Sequence, residues 1–274
     1  MEKTVCITGC SSGIGRATAR AFLDEEWQVY ATARDPEDVA DLADLGCETA
    51  ELDVTNDAQV LAVVERIIDE QGRIDCLVNN AGYGQLGPIE DVPVRDVERQ
   101  FDANVYGPQR LIQEVLPHMR EREEGTIVNV SSVAGRVAFP GGGVYSGSKA
   151  ALEAMSDALR VEASRFDVDV VLIEPGPVES AFTERATDET DDVPRSPEYS
   201  DIYGIIDDTQ AVGGGGPGAV QPAEVADWIV HAASSTRPNA RYPIGTLAKV
   251  GSVARLLPDG LRDTLFKLAL KIAG

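Results

Sequence analysis

Tyr145 and Lys149 stand four residues apart in GVYSGSKAALEAM, a segment whose later residues favour a helix. That spacing places both side chains on one helical face. A free phenol titrates near ~10, and a cation within about 4–6 Å lowers such an acid by roughly 1–3 units. The pair is therefore expected to act as a proton donor and acceptor, chemistry suited to interconverting an alcohol and a carbonyl. Lys149 also closes Ser146-Gly147-Ser148-Lys149, formally the S-x-x-K of acylating hydrolases, but the S-D-N and K-T-G companions of that chemistry are missing from the chain. The four cysteines, Cys6, Cys10, Cys47 and Cys76, form no C-x-x-C pair, and His118 and His231 lie far from them. No metal site is expected, and the cysteines read as reduced, small apolar residues.

A second constellation lies near the start. Thr8-Gly9-Cys10-Ser11-Ser12-Gly13-Ile14-Gly15 follows the apolar run TVCIT and opens a helix near Ile14. Glycines there permit a tight turn and close backbone approach, and the free N–H groups of the first helical turn face an anion such as a pyrophosphate. The next strand, VYATARD, ends in Ala33-Arg34, where dinucleotide folds usually hold a carboxylate against the adenosine ribose. A guanidinium instead matches a ribose 2′-phosphate. NADP(H) is expected over NAD(H), with Arg34 as the discriminating residue and Arg16 and Ser12 as helpers.

The spacing T-G-x-x-x-G-x-G resembles that of the short-chain dehydrogenase/reductase family, and four further motifs agree in order: Asn79-Asn80-Ala81-Gly82, Asn104 in FDANVYGP, the serine-tyrosine-lysine set, and Pro175-Gly176-Pro177-Val178-Glu179-Ser180. The likeness runs over residues 3 to 180 and loosely to 245. It implies that Ser132, thirteen residues before Tyr145 at the end of GTIVNVSS, holds the substrate oxygen, with Ser132 preferred to Ser131. It implies that Tyr145 protonates that oxygen while hydride passes from the nicotinamide, that Lys149 grips the nicotinamide ribose, and that Asn104 stabilises a water linking Lys149 to solvent. The dinucleotide is expected on Thr8, Gly9, Ser11, Ser12, Gly13, Ile14, Gly15, Arg34, Asp53, Val54, Asn80, Ala81, Gly82, Tyr145, Lys149, Pro175, Gly176, Val178 and Ser180. Asp53 resembles the family's adenine-contacting acid, and Ser180 replaces the usual threonine with its hydroxyl kept. The implied activity is that of an NADP(H)-dependent oxidoreductase interconverting a small-molecule carbonyl (ketone or aldehyde) and its alcohol, in a homodimer or homotetramer. A non-catalytic NADP(H)-binding redox sensor is the rival reading, and it leaves the Ser132, Tyr145, Lys149 set without a use.

Apolar runs that alternate with helical patterns must position these residues. TVCIT, WQVYATA, ETAELDV (48–54), IDCLVNNAG (74–82), GTIVNVSS and VDVVLIEPG (168–176) read as strands of a parallel sheet covered on both faces. Right-handed crossovers then give a doubly wound Rossmann sheet in three αβα layers. A chain of 274 residues can form a single such domain. The rhythm breaks over 184–221, rich in Asp, Pro and Gly, which reads as a substrate lid or a linker. Phe139, Phe182, Tyr199 and Tyr203 are compatible with an apolar pocket.

Bulk charge narrows the partners. Forty-six acidic residues against 24 basic ones give −22, which disfavours nucleic acid. Five lysines beside nineteen arginines complete an acidic, lysine-poor surface, as expected of a halophilic source or of an acidic protein from ordinary salt. From Ala240 on, six basic and two acidic residues give +4. Leu261, Leu265, Leu268 and Ile272 follow one helix face there, so the 245–274 tail is expected to be an amphipathic helix that docks on its own chain, on a partner subunit or on an anionic membrane. No run is long enough for a transmembrane helix and no leader precedes the first strand, so a cytoplasmic location is expected.

Overall fold

The computed structural model describes residues 2–179, 194–207 and 218–273, without the side chains of 269–273. Seven short strands form one sheet in the order β3-β2-β1-β4-β5-β6-β7. They are β1 (Thr4–Ile7), β2 (Gln28–Ala33), β3 (Glu48–Glu51), β4 (Cys76–Asn79), β5 (Gly125–Val130), β6 (Val168–Pro175) and β7 (Arg241–Ile244), and every pairing is parallel. All residues of β1, β4 and β5 are buried, because helices cover both faces of the sheet.

Strand alternation divides the core in two. Val5 and Ile7 of β1 point to a layer with Phe22 of α1 (Gly13–Asp24) and Val225 and Ile229 of α8 (Pro222–Ser234). Cys6 points the other way, to Val64 and Ile67 of α3 (Asp57–Gln71) and Leu111 and Val115 of α5 (Gly107–Arg122). α6 (Gly143–Ala163) joins that second layer through Leu159 and Ala163. α2 (Ala40–Asp44) and α4 (Val94–Phe101) are shorter connectors. The result is the doubly wound, three-layer single domain expected. All four cysteines are free and buried, and burial pushes the Cys6 thiol up to about 12.

The strand edges fall short of the expected ones for local reasons. β3 stops at Glu51 because Asp53 folds back on Thr55, whose N–H and hydroxyl both donate to its carboxylate, and Asn56 then caps α3. β4 stops at Asn79 because the Asn80 N–H turns to Val78 O and Thr8 Oγ1. Within the irregular segment 184–221, residues 200–207 form a helix, α7 (Ser200–Asp207), since Ile202, Tyr203 and Ile206 give it an apolar face; Phe182 and much of the remainder lie outside the described residues. The tail is two helices rather than one, α9 (Thr246–Ala254) and α10 (Asp259–Ala273), divided at Pro258, where the ring cannot continue a helix. Leu261, Leu265 and Leu268 are each about half exposed, at 50, 51 and 55%, and α10 meets α7 of its own chain. No helix among the described residues is long and apolar enough to cross a membrane, and no group of three or more His, Cys, Asp or Glu among them could hold a metal ion.

Candidate active site

Parallel strands all end on one edge, and the residues singled out by motif gather at that edge. Thr8 leaves β1 with its hydroxyl accepting from the Asn80 and Ala81 N–H groups, at 3.0 and 2.9 Å. Asn80 Nδ2 donates in return to the Thr8 and Gly9 carbonyls, at 2.9 and 3.0 Å. Two loops from distant stretches of chain are thereby locked together. Gly9 and Gly13 hold φ of 73° and 54°, which side-chain-bearing residues avoid. A Cβ on Gly15 would strike the Gly9 carbonyl and the Asn80 amide.

α1 begins in this cradle with no acidic residue in its first turn, and Ser12, its N-cap, makes no side-chain capping bond. The N–H groups of that turn are open to an anion, so the residues present fit a pyrophosphate. Arg16 does not face this space: it binds Ser11 O at 2.8 Å, Asp38 O at 3.1 Å and the Asp41 carboxylate. Arg34, exposed just past β2, has no hydrogen bond or ion pair among the described residues. Asp53 and buried Val54 sit beyond β3, where Val54 packs on Gly107. Gly82 is tight against Asn104, whose Oδ1 lies 2.7 Å from where a Cβ would stand. Pro175 ends β6, and Gly176 and Val178 follow it, the latter bridging to Val220. Ser180 lies outside the described residues.

The reacting set comes from two elements. Ser132 follows β5 and caps a 3₁₀ turn, Val133–Gly135, accepting from the Ala134 N–H at 3.1 Å. Its hydroxyl also hydrogen-bonds the Tyr145 phenol. Ser131 points elsewhere, its hydroxyl buried without a hydrogen-bond partner, which favours Ser132 as the working serine. One turn after Tyr145 on α6, Lys149 is 6% exposed and its ammonium donates to Val130 O at 2.8 Å. Burial pushes this lysine down to about 8, opposed by the charge of Glu153.

Tyr145 departs from expectation. Its phenol is pushed up by burial to about 12, against the downward pull of the Ser132 hydrogen bond. Lys149, one turn on, directs its ammonium at the β5 carbonyl of Val130, at 2.8 Å. Around physiological pH the phenol is therefore in its proton-carrying form.

Asn104 lies in a π turn, Asp102–Tyr106, between α4 and α5. Such insertions mark functional positions in helices. Its Oδ1 accepts the Tyr83 N–H at 3.1 Å, and its Nδ2 donates to Tyr83 O at 3.0 Å and Ser148 Oγ at 3.2 Å. Gln100 repeats the device, donating to Tyr83 O and accepting from the Gln85 N–H. Sequence reading overlooked Gln100, whose only signal was a polar residue on the inner face of a helix.

Phe139, Tyr199 and Tyr203 do meet, in an apolar cluster with Leu86, Ile202 and Ile206 beside Gly141-Gly142 at the head of α6. Polar bonds fasten the α7 segment over it: Asp91 accepts from Ser196 N–H (3.0 Å), Ser196 Oγ (2.5 Å) and Tyr203 OH (2.7 Å). A separate groove of about 390 Å³ lies between α5 and α6, lined by Ile112, Leu116, Met155 and Leu159.

A family profile described as short chain dehydrogenase matches residues 3–191. The Escherichia coli (strain K12) oxidoreductase YbbO is 35% identical over 272 residues, covering 97% of this chain and 95% of that protein. Human retinol dehydrogenase 8 is 34% identical over 289 residues, covering 97% and 91%. The crystal structure of a Streptomyces avermitilis short-chain dehydrogenase superposes with a TM-score of 0.83 at 32% identity, over 97% of this chain and 95% of that one. Other similar structures hold NAD or NADP.

Proposed function

From the premise that the chain belongs to the short-chain dehydrogenase family, we propose that it is an NADP(H)-dependent oxidoreductase that interconverts a carbonyl compound and its alcohol. The observation that carries this reading is the Ser132–Tyr145 hydrogen bond with Lys149 buried one helical turn behind it, next to a helix start open to an anion. When bound, the dinucleotide supplies or accepts the hydride at its nicotinamide. Ser132, its own oxygen engaged by the Ala134 N–H, turns its proton outward and orients the substrate oxygen. Tyr145 gives that oxygen its proton in reduction and removes it in oxidation. The preference for NADP(H) favours reduction as the working direction. Lys149, tethered to Val130 O, brings positive charge to the ribose side. The loop from Thr8 to Gly15, with Asn80, Ala81 and Gly82 behind it, holds the phosphates, and Pro175, Gly176, Val178 and Ser180 border the nicotinamide end.

Arg34 is the basis for preferring NADP(H), since its unengaged guanidinium suits a 2′-phosphate. The substrate class follows from the cluster of Phe139, Tyr199 and Tyr203 and from the name of one relative, a retinol dehydrogenase: a bulky, apolar carbonyl or alcohol, with the segment over 184–221 serving as its lid. The α5–α6 groove with half-exposed Met155 suits a second copy of the chain, in a homodimer or homotetramer. The acidic surface, at −22, suits a cytoplasm rich in salt, where melting temperature rises from low to molar KCl. Consumption of NADPH and NADH across a panel of ketones and aldehydes, small and bulky, tests the reading. Turnover with bulky apolar carbonyls and NADPH is expected; NADPH binding with no consumption on any member of the panel overturns it.

A further inference from the structure

α6 carries a charged row beyond the two residues already assigned. Tyr145, Lys149, Glu153 and Asp157 succeed one another at four-residue steps and therefore share one face. Glu153 is 5% exposed, and opposite it Glu174, near the carboxyl end of β6 just after its apolar run, is 1% exposed. Arginines from other elements close the space. Arg241, at the start of β7, donates to Glu153 Oε2 at 3.2 and 3.1 Å and to Asp157 at 2.6 Å. Arg136, just after the 3₁₀ turn, lies 3.8 Å from each glutamate, and Arg160 of α6 pairs with Asp157.

This cluster is incompletely bonded. Glu153 Oε1 and Glu174 Oε1 accept no hydrogen bond among the described residues, although Arg241 Nε lies 3.0 Å from the latter, out of line for one. Two buried carboxylates side by side resist ionising together. One proton between them relieves the repulsion and supplies the missing donor. Glu174 is pushed up to about 7, by burial first and by Glu153 second, against the downward pull of Arg136 and Arg241.

We propose that Glu153 and Glu174 share one proton at neutral pH and, through Glu153, set the charge of Lys149, so that both glutamates are positioning residues for the proton transfer at Tyr145. The inference rests on the reading of Tyr145 and Lys149 given above. Loss of the shared proton as pH rises adds negative charge behind Lys149, which keeps the lysine protonated where burial alone would discharge it. The groups facing the pair are Lys149, Asp157 and Arg160 on α6, Arg136 after the 3₁₀ turn and Arg241 on β7.

Carbon-13 NMR of wild-type protein labelled at the glutamate carboxyls reads the pair without any need for turnover. A glutamate signal titrating at about pH 7 is expected from Glu174, and its loss from Glu174→Gln together with its displacement in Glu153→Gln assigns it. The pH profile of kcat/KM provides the second measurement. Glu153→Gln should bring the alkaline limb down by about 1 pH unit, and Glu174→Gln by less, because Glu153 keeps its charge. Absence of a glutamate titrating near neutrality in the wild type, or a Glu153→Gln rate lowered equally at every pH, overturns the proposal. A wild type that binds NADPH but reduces nothing would instead sink the functional reading and leave the titration to stand or fall alone.

Discussion

Two buried acidic sites sit at different places in the same sheet and are built in opposite ways. Asp75, 6% exposed just before β4, accepts the Thr4 N–H at 2.8 Å, Arg73 Nε at 2.7 and 2.9 Å, and Arg122 Nη2 at 2.8 Å. Burial raises its carboxyl, but Arg73, the Thr4 amide and Arg122 outweigh burial and hold it below its usual range. Glu174, equally buried beside Glu153, has arginines only at a distance or off line, and its carboxyl is pushed up to about 7. A fully bonded carboxylate is a clamp, here joining the amino-terminal ends of β1 and β4. A partly bonded one retains a use for a proton, and its neighbour Glu153 lies one turn from Lys149. The difference separates charge that holds the fold from charge that serves the chemistry.

The sharpest way to break this division is to remove one group from each side. Tyr145→Phe should lower kcat by about 10²–10⁴-fold, with dinucleotide affinity and melting temperature kept; steady-state rates alongside a fluorescence titration of NADPH read both. Substantial residual turnover would remove Tyr145 from the reacting set. Asp75→Ala should do the reverse, losing about 3–5 kcal/mol of unfolding free energy in urea titrations at molar KCl, with unchanged kcat per folded molecule. A fall in kcat to match the lost stability would dissolve the distinction.

Arg34→Ala addresses the rim of the site. Loss of a charge-assisted contact worth about 1.5–3 kcal/mol should weaken NADPH binding by about 10–150-fold and leave NADH binding unchanged in calorimetric titrations. Equal losses would retire the cofactor preference.

The smallest effect is the opposed pH dependence of the two acidic sites. Asp75 has a folded pKa below the unfolded value of about 3.9, so its contribution is present above that pH and is lost as pH falls through the folded value. The stability gap between wild type and Asp75→Asn should therefore narrow below about pH 4. Glu174 has a folded pKa raised above the unfolded value of about 4.3, so its contribution is present below that pH and is lost as pH rises towards about 7. Glu174→Gln should gain on the wild type by about 2–4 °C in melting temperature, the equivalent of ~1 kcal/mol, between pH 5 and 8. Parallel slopes for the two variants would contradict the contrast.

Much of the active edge was legible before any coordinates. The glycine loop, Arg34, and the Tyr145–Lys149 spacing are local patterns, and β/α alternation requires their strands to end together. Ser132 came from resemblance, and its bond to Tyr145 agrees. Other features had partial signals. Glu174 ends the apolar run Val170–Ile173 of β6, and Glu153 continues the four-residue step from Lys149, yet neither shows its partner. Arg241 reaches Glu153 across 88 positions of sequence, a separation that no local pattern spans. Helix α7 was missed because its apolar face, Ile202, Tyr203 and Ile206, sits in a stretch dominated by Asp, Pro and Gly.

What the amino-acid order determined by itself was periodicity and local geometry: which runs become strands, where glycine must allow positive φ, and which side chains share a helical face. These depend on the backbone and on neighbours within a turn. Only the tertiary structure decided the state of each ionisable group. Burial pushed the phenol expected to be acidified up to about 12, and the Lys149 ammonium took its hydrogen bond from a strand carbonyl, Val130 O. Charge in a protein interior responds to dehydration and to partners brought from far along the chain, and both exist only once the layers have packed.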